Sequence, residues 1–292
     1  MRSYSHTDPD LKPFLSTISD IAKQVEAMKL PYWVFVQDSN PIGIVIVGQE
    51  PIQLLAPPGT SMAFVDLLDT EQPSEVIGTF ANEALRLMSE RRVTYALAKF
   101  RYEKNVAMDE FKKLAFKEFD DCYQMICTLD RSFKPSGELK IRRVEKEEMR
   151  QFIEMTEEFM QSSPDIALRK AMEYISELPD EFLNSYYDME EFFIAHKNDQ
   201  PVGILNINTR KGLVSNVGVA PSQRGKGYGR QVMLFGLDQL KRRDCKQAYL
   251  RVHVENKQAI HLYESLGFTK ANRYKRLMWK VNGKQHERSS ER

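Results

Sequence analysis

The chain has 292 residues, 42% of them apolar and 28% charged, with a net charge of +1. That is enough apolar content for one large or two ordinary packed domains, and it excludes collagen-like, disordered and disulfide-scaffold classes. The longest strongly apolar run, Pro41 to Gly48, is far short of the ~20 residues of a membrane helix. No apolar segment follows Met1-Arg2-Ser3-Tyr4-Ser5-His6, so no secretory signal or membrane partner is expected. Three cysteines, Cys122, Cys127 and Cys245, form no C-x-x-C pair; free thiols in a reducing cytoplasm are expected, with no metal site. Residues 138–292 hold 27 Lys and Arg against 22 Asp and Glu, a net of +5, and the rest of the chain is −4. That excess is too mild for a nucleic-acid partner but suits a polyanionic small molecule.

In chain order, Asp10 to Lys29 carries apolar residues at helical spacing and Pro31 stops it. Strands are expected at Tyr32–Val36, Ile42–Val47 and Ser61–Leu68, then a helix at Glu75–Arg91 and a strand at Val93–Phe100. A helix at Met108–Phe119 and a strand at Tyr123–Leu129 follow. Phe133 to Glu138, with Pro, Ser and Gly, reads as a linker.

The order then begins again. A strand at Leu139–Val144, helices at Glu147–Met160 and Ala167–Leu178, and strands at Phe192–His196, Val202–Asn208 and Leu213–Val219 are expected. A helix at Gly229–Arg243, a strand at Ala248–Val254, a helix at Gln258–Leu266 and a strand at Tyr274–Val281 complete it. Asn282 to Arg292 is a polar, flexible tail. The halves look like a repeat. Phe35–Ile44 matches Ile194–Ile204 with one inserted residue, and Glu118-Phe119 parallels Gly267-Phe268. The expected domains are 1–134 and 138–281.

The chemistry concentrates between Leu213 and Phe268. Strand Leu213–Val219 runs through Ala220-Pro221 into Gln223-Arg224-Gly225-Lys226-Gly227-Tyr228-Gly229, which opens a helix. Three glycines in five residues let consecutive N–H groups converge, and the helix adds its positive end. Arg224 and Lys226 add charge. These are the parts of a pyrophosphate cradle, although the spacing is neither the P-loop nor the dinucleotide fingerprint. After the next strand come Glu255-Asn256 and then Ala259-Ile260-His261-Leu262-Tyr263-Glu264-Ser265-Leu266-Gly267-Phe268.

These paired motifs, V-x-P-x-x-R-G-x-G-x-G and N-x-x-A-x-x-L-Y-x-x-L-G-F, resemble the GCN5-related N-acetyltransferase (GNAT) family over about residues 139–281. The resemblance implies an α/β fold of two tandem acyl-CoA N-acyltransferase (GNAT-like) domains, each a mixed, mostly antiparallel sheet flanked by helices. It implies acetyl-CoA as the acetyl donor and an amine as acceptor, in a monomer or homodimer. Arg224, Gly225, Lys226, Gly227, Tyr228 and Gly229 would cradle the pyrophosphate. Val217 and Val219 would face the pantetheine arm through their main chain where the sheet splays. Asn256 would contact the cofactor, and Tyr263 would protonate the leaving thiolate.

Many members carry a Glu on the strand before the Asn; here Arg251 stands at that position, and the strand Tyr249–Val254 holds no carboxylate. His253, on the same face by the two-residue period, is the candidate base. Ser185 to Glu191, with acidic and aromatic side chains, is expected to build the acceptor site. In the first half, Asp66 to Gly78 has four acids, one glycine and no base where the cradle should be. The Tyr263 counterpart falls near Leu114 or Ala115. The first half is therefore expected to be a degenerate copy. A CoA-sensing or protein-binding module without turnover is the alternative function.

Overall fold

The computed structural model describes residues 1–16, 18–27, 29–50, 55–68, 71–102, 105–135 and 137–281. Asp69 and Thr70 of the acidic loop, Ser136 of the linker and the expected tail lie outside the described residues. Packing divides the chain into two units. One takes the chain up to Asp120 together with the stretch from Tyr274; the other takes Asp121–Arg273.

The first unit begins with β1 (Arg2–Ser5), α1 (Ser19–Ala27), β2 (Tyr32–Gln37), β3 (Asn40–Gln49) and β4 (Ser61–Leu67). It continues through α2 (Ser74–Glu90), β5 (Tyr95–Arg101), α3 (Asn105–Lys113) and the start of β6 (Lys117–Thr128). The sheet runs β1-β2-β3-β4-β5, antiparallel except for β4 and β5, and its last strand is Tyr274–Lys280 from the chain's end. Both faces of β3 are covered. Ile44 and Ile46 join Ile18, Ala22 and Val25 of the α1 side, while Val45 and Val47 join Phe80, Ala84 and Phe111 of α2 and α3. That two-sided burial explains why this strand reads as an unbroken apolar run.

The second unit has the same plan: β7 (Lys140–Arg143), α4 (Met149–Met160), α5 (Ile166–Met172), α6 (Asp180–Met189), β8 (Glu191–Lys197), β9 (Gln200–Asn208) and β10 (Leu213–Val219). Then come α7 (Tyr228–Arg242), β11 (Gln247–His253), α8 (Lys257–Ser265) and β12 (Thr269–Lys280). The sheet runs β7-β8-β9-β10-β11, and its last strand is β6, paired antiparallel to β11 from Cys122 to Thr128. Each sheet is thus completed by a strand from the other half of the sequence. The compact units therefore differ from contiguous stretches 1–134 and 138–281. Leu277 and Trp279 are buried in the first core, and Met125, Cys127 and Phe133 in the second.

The repeat is tighter than its sequence pattern. Asp38 and Ser39 both have positive φ, as do Asn198 and Asp199, which is the geometry of a type I′ hairpin. The same register shift follows in both, between Phe35 and Val36 and between Ala195 and His196. Gly43 therefore matches Gly203 at a constant offset, and no inserted residue is needed.

Other differences are local. Asp10–Lys29 is not one helix; a 3-10 turn at Pro9–Phe14, carrying Pro13 inside it, precedes α1. The helix expected to reach Phe119 ends at Lys113, because Ala115 takes a φ of 66° and the chain turns into β6. Ala167–Leu178 divides into α5 and a 3-10 turn at Ile175–Glu177. The strand expected from Tyr274 begins at Thr269.

Candidate active site

In the first unit β4 and β5 pair in parallel over five positions, from Met62↔Tyr95 to Asp66↔Lys99. In the second unit the equivalent strands touch at one position, Leu213↔Tyr249, and then part. A cavity of about 520 Å³ occupies the second unit there, with Val217, Gly218 and Val219 of β10 on its wall. Its counterpart in the first unit is closed by the sheet itself. Burial pushes the Asp66 carboxyl upward and the opposed Lys99 pulls it down.

Past Val219 the chain forms the loop that the glycines make possible. Gly225 and Gly227 both have φ of 80°, the left-handed region where a side chain strains the backbone, and nothing lies within 4 Å of a Cβ at either. Gly227 is the N-cap of α7 and offers no side-chain cap. Among the described residues, the N–H groups of Gly225, Lys226, Gly227, Tyr228 and Gly229 donate to no protein group. Unpaired amides at a helix N-terminus, beside a cavity, are an anion site.

The side chains of Arg224, Lys226 and Tyr228 are engaged by protein groups. The Arg224 guanidinium donates to Val219 O at 3.2 Å, Phe159 O at 2.8 Å and Ser162 Oγ at 2.8 Å. It fastens the end of β10 to the C-terminal turn of α4, where carbonyls are unpaired and a cation is favoured. Lys226 is exposed, donates to Gln223 Oε1 at 2.8 Å and is not on the cavity wall. The Tyr228 ring is buried and its hydroxyl donates to Glu138 Oε1 at 3.0 Å, so only its main chain serves the cradle. Arg230, His261 and Gln258 line the cavity and were missed from sequence. Arg230, one residue past the last glycine, donates to Ser265 Oγ at 2.8 Å.

Asn256 lines the cavity and is the N-cap of α8, its Oδ1 accepting from Ala259 N at 3.2 Å. Two turns later, Tyr263 reaches the same wall, its ring 5.9 Å from that of Phe268. Its hydroxyl has no hydrogen-bond partner among the described residues. Burial pushes its pKa up to about 12, because a phenolate loses solvation there. A phenol so placed is fully protonated at neutral pH and can donate.

His253 does not join this group. It is half-buried, absent from the cavity wall, and its Nδ1 accepts from Glu255 N at 3.3 Å in the turn after β11. Arg251 pairs with Asp165, the N-cap of α5, and its Nη1 also contacts Cys122 Sγ at 3.3 Å. Ser185–Glu191, the stretch expected to build the acceptor site, is the C-terminal half of α6 with its cap Glu190 and the first residue of β8. There Tyr187 donates to Val144 O at 3.1 Å, while Tyr186 and Glu190 turn to β9 and β10.

The sequence profile of the Acetyltransferase (GNAT) family matches residues 152–268, from α4 through the Tyr263 motif. Over that stretch the chain is similar to the GNAT family. Its solved neighbours have the same architecture. A GCN5-related N-acetyltransferase from Sphaerobacter thermophilus superposes with a TM-score of 0.63 at 16% identity, covering 90% of this chain and 85% of that one. A tandem GNAT protein from the clavulanic acid biosynthesis pathway gives 0.60 at 13% identity, covering 96% and 99%. The chain is also 37% identical over 94 residues to mycothiol acetyltransferase of Thermobispora bispora, covering 29% of this chain and 32% of that one. The match thus spans about a third of the curated relative's length. No helix among the described residues is long and apolar enough to cross a membrane.

Proposed function

We propose that the second unit transfers acetyl from acetyl-CoA to an amine by direct attack, and that the first unit is a copy without the chemistry. The observation that carries this reading is the coincidence, in one cavity, of three features: the parted β10 and β11, the unpaired amides from Gly225 to Gly229, and the unpartnered Tyr263 hydroxyl. The residues present fit the donor. The amides and the α7 N-terminus would hold its pyrophosphate, the free edge of β10 at Val217–Val219 would pair with the amide-bearing arm, and Asn256 would stand beside it.

In the reaction, a neutral amine nitrogen attacks the thioester carbonyl carbon. The C–N bond forms, the C–S bond breaks, and the sulfur takes the Tyr263 proton. The phenol is restored by the proton that the acylated nitrogen gives up, so the products are an amide and a free thiol. Reaching the neutral amine costs roughly 4.6 kcal/mol at pH 7 for an alkylamine of pKa ~10.4, so the acceptor site must ease that step. Cys122, Cys127 and Cys245 form no disulfide among the described residues, which accords with a cytoplasmic setting.

A second reading, a CoA-binding module without turnover, draws on Arg251 and its Asp165 partner, which occupy the place of a strand carboxylate. One experiment separates the two: thiol release from acetyl-CoA across a panel of primary amines, run beside acetyl-CoA thermal shift. Binding with amine-dependent thiol release supports transfer; binding without release from any amine favours the module; no binding overturns both.

A further inference from the structure

A second polar constellation, none of whose residues lines the cavity, begins two residues along β10 from the cavity-wall residue Val217. Asn206 of β9 is completely buried. Its Nδ2 donates to the Tyr186 hydroxyl at 3.0 Å and to Glu190 Oε2. Its Oδ1 is the one buried side-chain polar atom among the described residues that has no hydrogen-bond partner. Ser215 Oγ donates to the other Glu190 oxygen at 2.7 Å. Among the described residues no lysine or arginine pairs with Glu190. A half-buried carboxylate held only by neutral donors, next to an orphaned buried acceptor, is an arrangement that wants a cationic donor.

Its position follows from the strands. β10 carries an irregularity against β9: Val214 faces Ile207 but Asn216 faces Asn206, so Ser215 is the extra residue. The bulge turns Ser215 toward Glu190. Asn216 then separates Ser215 from Val217, the first β10 residue of the cavity wall. A donor whose pyrophosphate sits at Gly225–Gly229 runs back along β10 from Val219 to Val217, so its acyl end arrives next to Asn216 and Ser215. Aromatic rings pack around Tyr186. The Tyr186 ring is 4.9 Å from that of Phe192 and 6.1 Å from that of Phe182, and Met189, at the end of the same helix, is exposed. Burial and the Glu190 charge both push the Tyr186 phenol well above its ordinary range, so it stays a neutral neighbour of a cation.

We infer that Glu190, Asn206, Ser215 and Tyr186 form the acceptor subsite, and that it takes a primary ammonium group on an apolar or aromatic stem. The ammonium is the missing donor: one N–H to Asn206 Oδ1, another to Glu190. This rests on the acetyl-transfer reading, because it takes the acyl end to lie at Val217.

The test uses the full chain saturated with CoA, titrated with phenethylamine, which is cationic at pH 7, and with phenethyl alcohol, its neutral analogue. The readouts are the NMR signals of the Asn206 side-chain amide and the Ser215 and Asn216 amides. Phenethylamine is expected to move them saturably and phenethyl alcohol to leave them in place. Glu190→Gln is expected to weaken phenethylamine binding by on the order of 10–100-fold, the range for losing a charge-assisted hydrogen bond. CoA affinity and melting temperature should hold. Should Glu190→Gln unfold the unit, Glu190→Asp keeps the charge but withdraws the carboxylate by one methylene from Ser215 Oγ and Asn206 Nδ2, and must weaken phenethylamine binding by several-fold while CoA affinity holds; unchanged phenethylamine binding overturns the subsite. No response to phenethylamine, equal response to both probes, or unchanged binding in Glu190→Gln overturns the subsite. Each of those results with CoA still bound leaves the acetyl-transfer reading standing, whereas loss of CoA binding by the wild type removes that reading itself.

Discussion

Phe111 stands in the first unit where Tyr263 stands in the second. The N–H of Phe116 donates to Phe111 O at 3.3 Å, and the N–H of Phe268 donates to Tyr263 O at 3.0 Å. Between them, Ala115 and Gly267 take φ of 66° and 88° and close the same helix end. The six residues Phe111-Lys112-Lys113-Leu114-Ala115-Phe116 therefore lie over Tyr263-Glu264-Ser265-Leu266-Gly267-Phe268, and β6 and β12 follow at the same offset. The expected counterparts Leu114 and Ala115, and the pairing of Glu118-Phe119 with Gly267-Phe268, are displaced by three or four residues. Phe111 has a ring but no proton to give, and Phe80, Phe100 and Phe116 enclose it.

That relationship makes a paired prediction. Tyr263→Phe keeps the ring contact with Phe268, so melting should change little and acetyl-CoA affinity should stay within a few-fold. The maximal rate should fall by about 10²–10⁴-fold, the usual value of a general acid. The reverse change, Phe111→Tyr, should add no activity and should destabilise by roughly 1–3 kcal/mol, since the new hydroxyl is buried among rings. Steady-state kinetics and denaturant melts on both variants check this. An unchanged rate in Tyr263→Phe would mean another group supplies the proton.

The pH dependence follows from the same burial. The Tyr263 pKa is raised from 10.0 to about 12, so the folded state holds this proton more tightly than the unfolded chain. The associated stability is complete below pH 10 and drains away as pH rises through 10 to 12. Tyr263→Phe should flatten part of the alkaline decline in melting temperature between those limits. In activity, the limb assigned to the acid should lie near 12 and not at the ordinary phenol value. A wild-type limb at 10 that disappears in the variant would show that Tyr263 is more solvated than its place on the cavity wall implies.

Much of this site was legible because its determinants are local. Gly225 and Gly227 announce left-handed backbone, and Asn256 three residues before Ala259 announces a cap; each rests on neighbours within one turn. What was not legible is carried by contacts between distant residues. Glu190, Asn206 and Ser215 lie 16 and 25 residues apart along the chain and meet only because α6 ends over β9 and β10. Arg224 reads as a phosphate ligand by charge, but its direction depends on where α4 ends. His253 satisfies the two-residue period with Arg251, yet the turn at Glu255 engages its ring. The exchange of β6 and β12 is silent for a related reason. The apolar residues Phe119, Cys122, Met125 and Cys127 mark a strand buried on both faces, not which sheet it joins.

Gly227→Val tests the cradle. At φ of 80° the variant must strain or re-form the N-terminus of α7, and the amides from Gly225 to Gly229 then no longer converge. Acetyl-CoA at 100 times its dissociation constant should stabilise the wild type by about 2.7 kcal/mol. The variant should show little of that shift.

Acetyl-CoA should bind once per chain. In the first unit the parallel pair β4–β5 stays closed through Asp66↔Lys99, and the loop beyond it, with Glu71 and Glu75, repels a pyrophosphate. Isothermal calorimetry should give a stoichiometry of one. Two sites of similar affinity would show that the first unit opens along β4 and keeps a donor site.

The exchanged strand gives the last prediction. Trp279 is 9% exposed, packs 6.4 Å from the Phe116 ring and belongs to the first core together with Leu277, although it follows every motif of the second half. Trp279→Ala should cost about 3–5 kcal/mol, as expected for emptying a large buried aromatic site. The location of the loss is the discriminating part. Lys280↔Tyr95 and Met278↔Leu97 place this strand against β5, so amide exchange should accelerate first in β5 and β4. Protection in β9 and β10, and the acetyl-CoA shift that depends on Gly225–Gly229, should persist. A contiguous division of the chain makes the opposite forecast: exchange would rise in β10 and β11 and cofactor binding would fall while β4 and β5 stayed protected. Hydrogen exchange read by mass spectrometry on Trp279→Ala, with and without acetyl-CoA, distinguishes the two because peptides from β4 and β10 are separable by sequence.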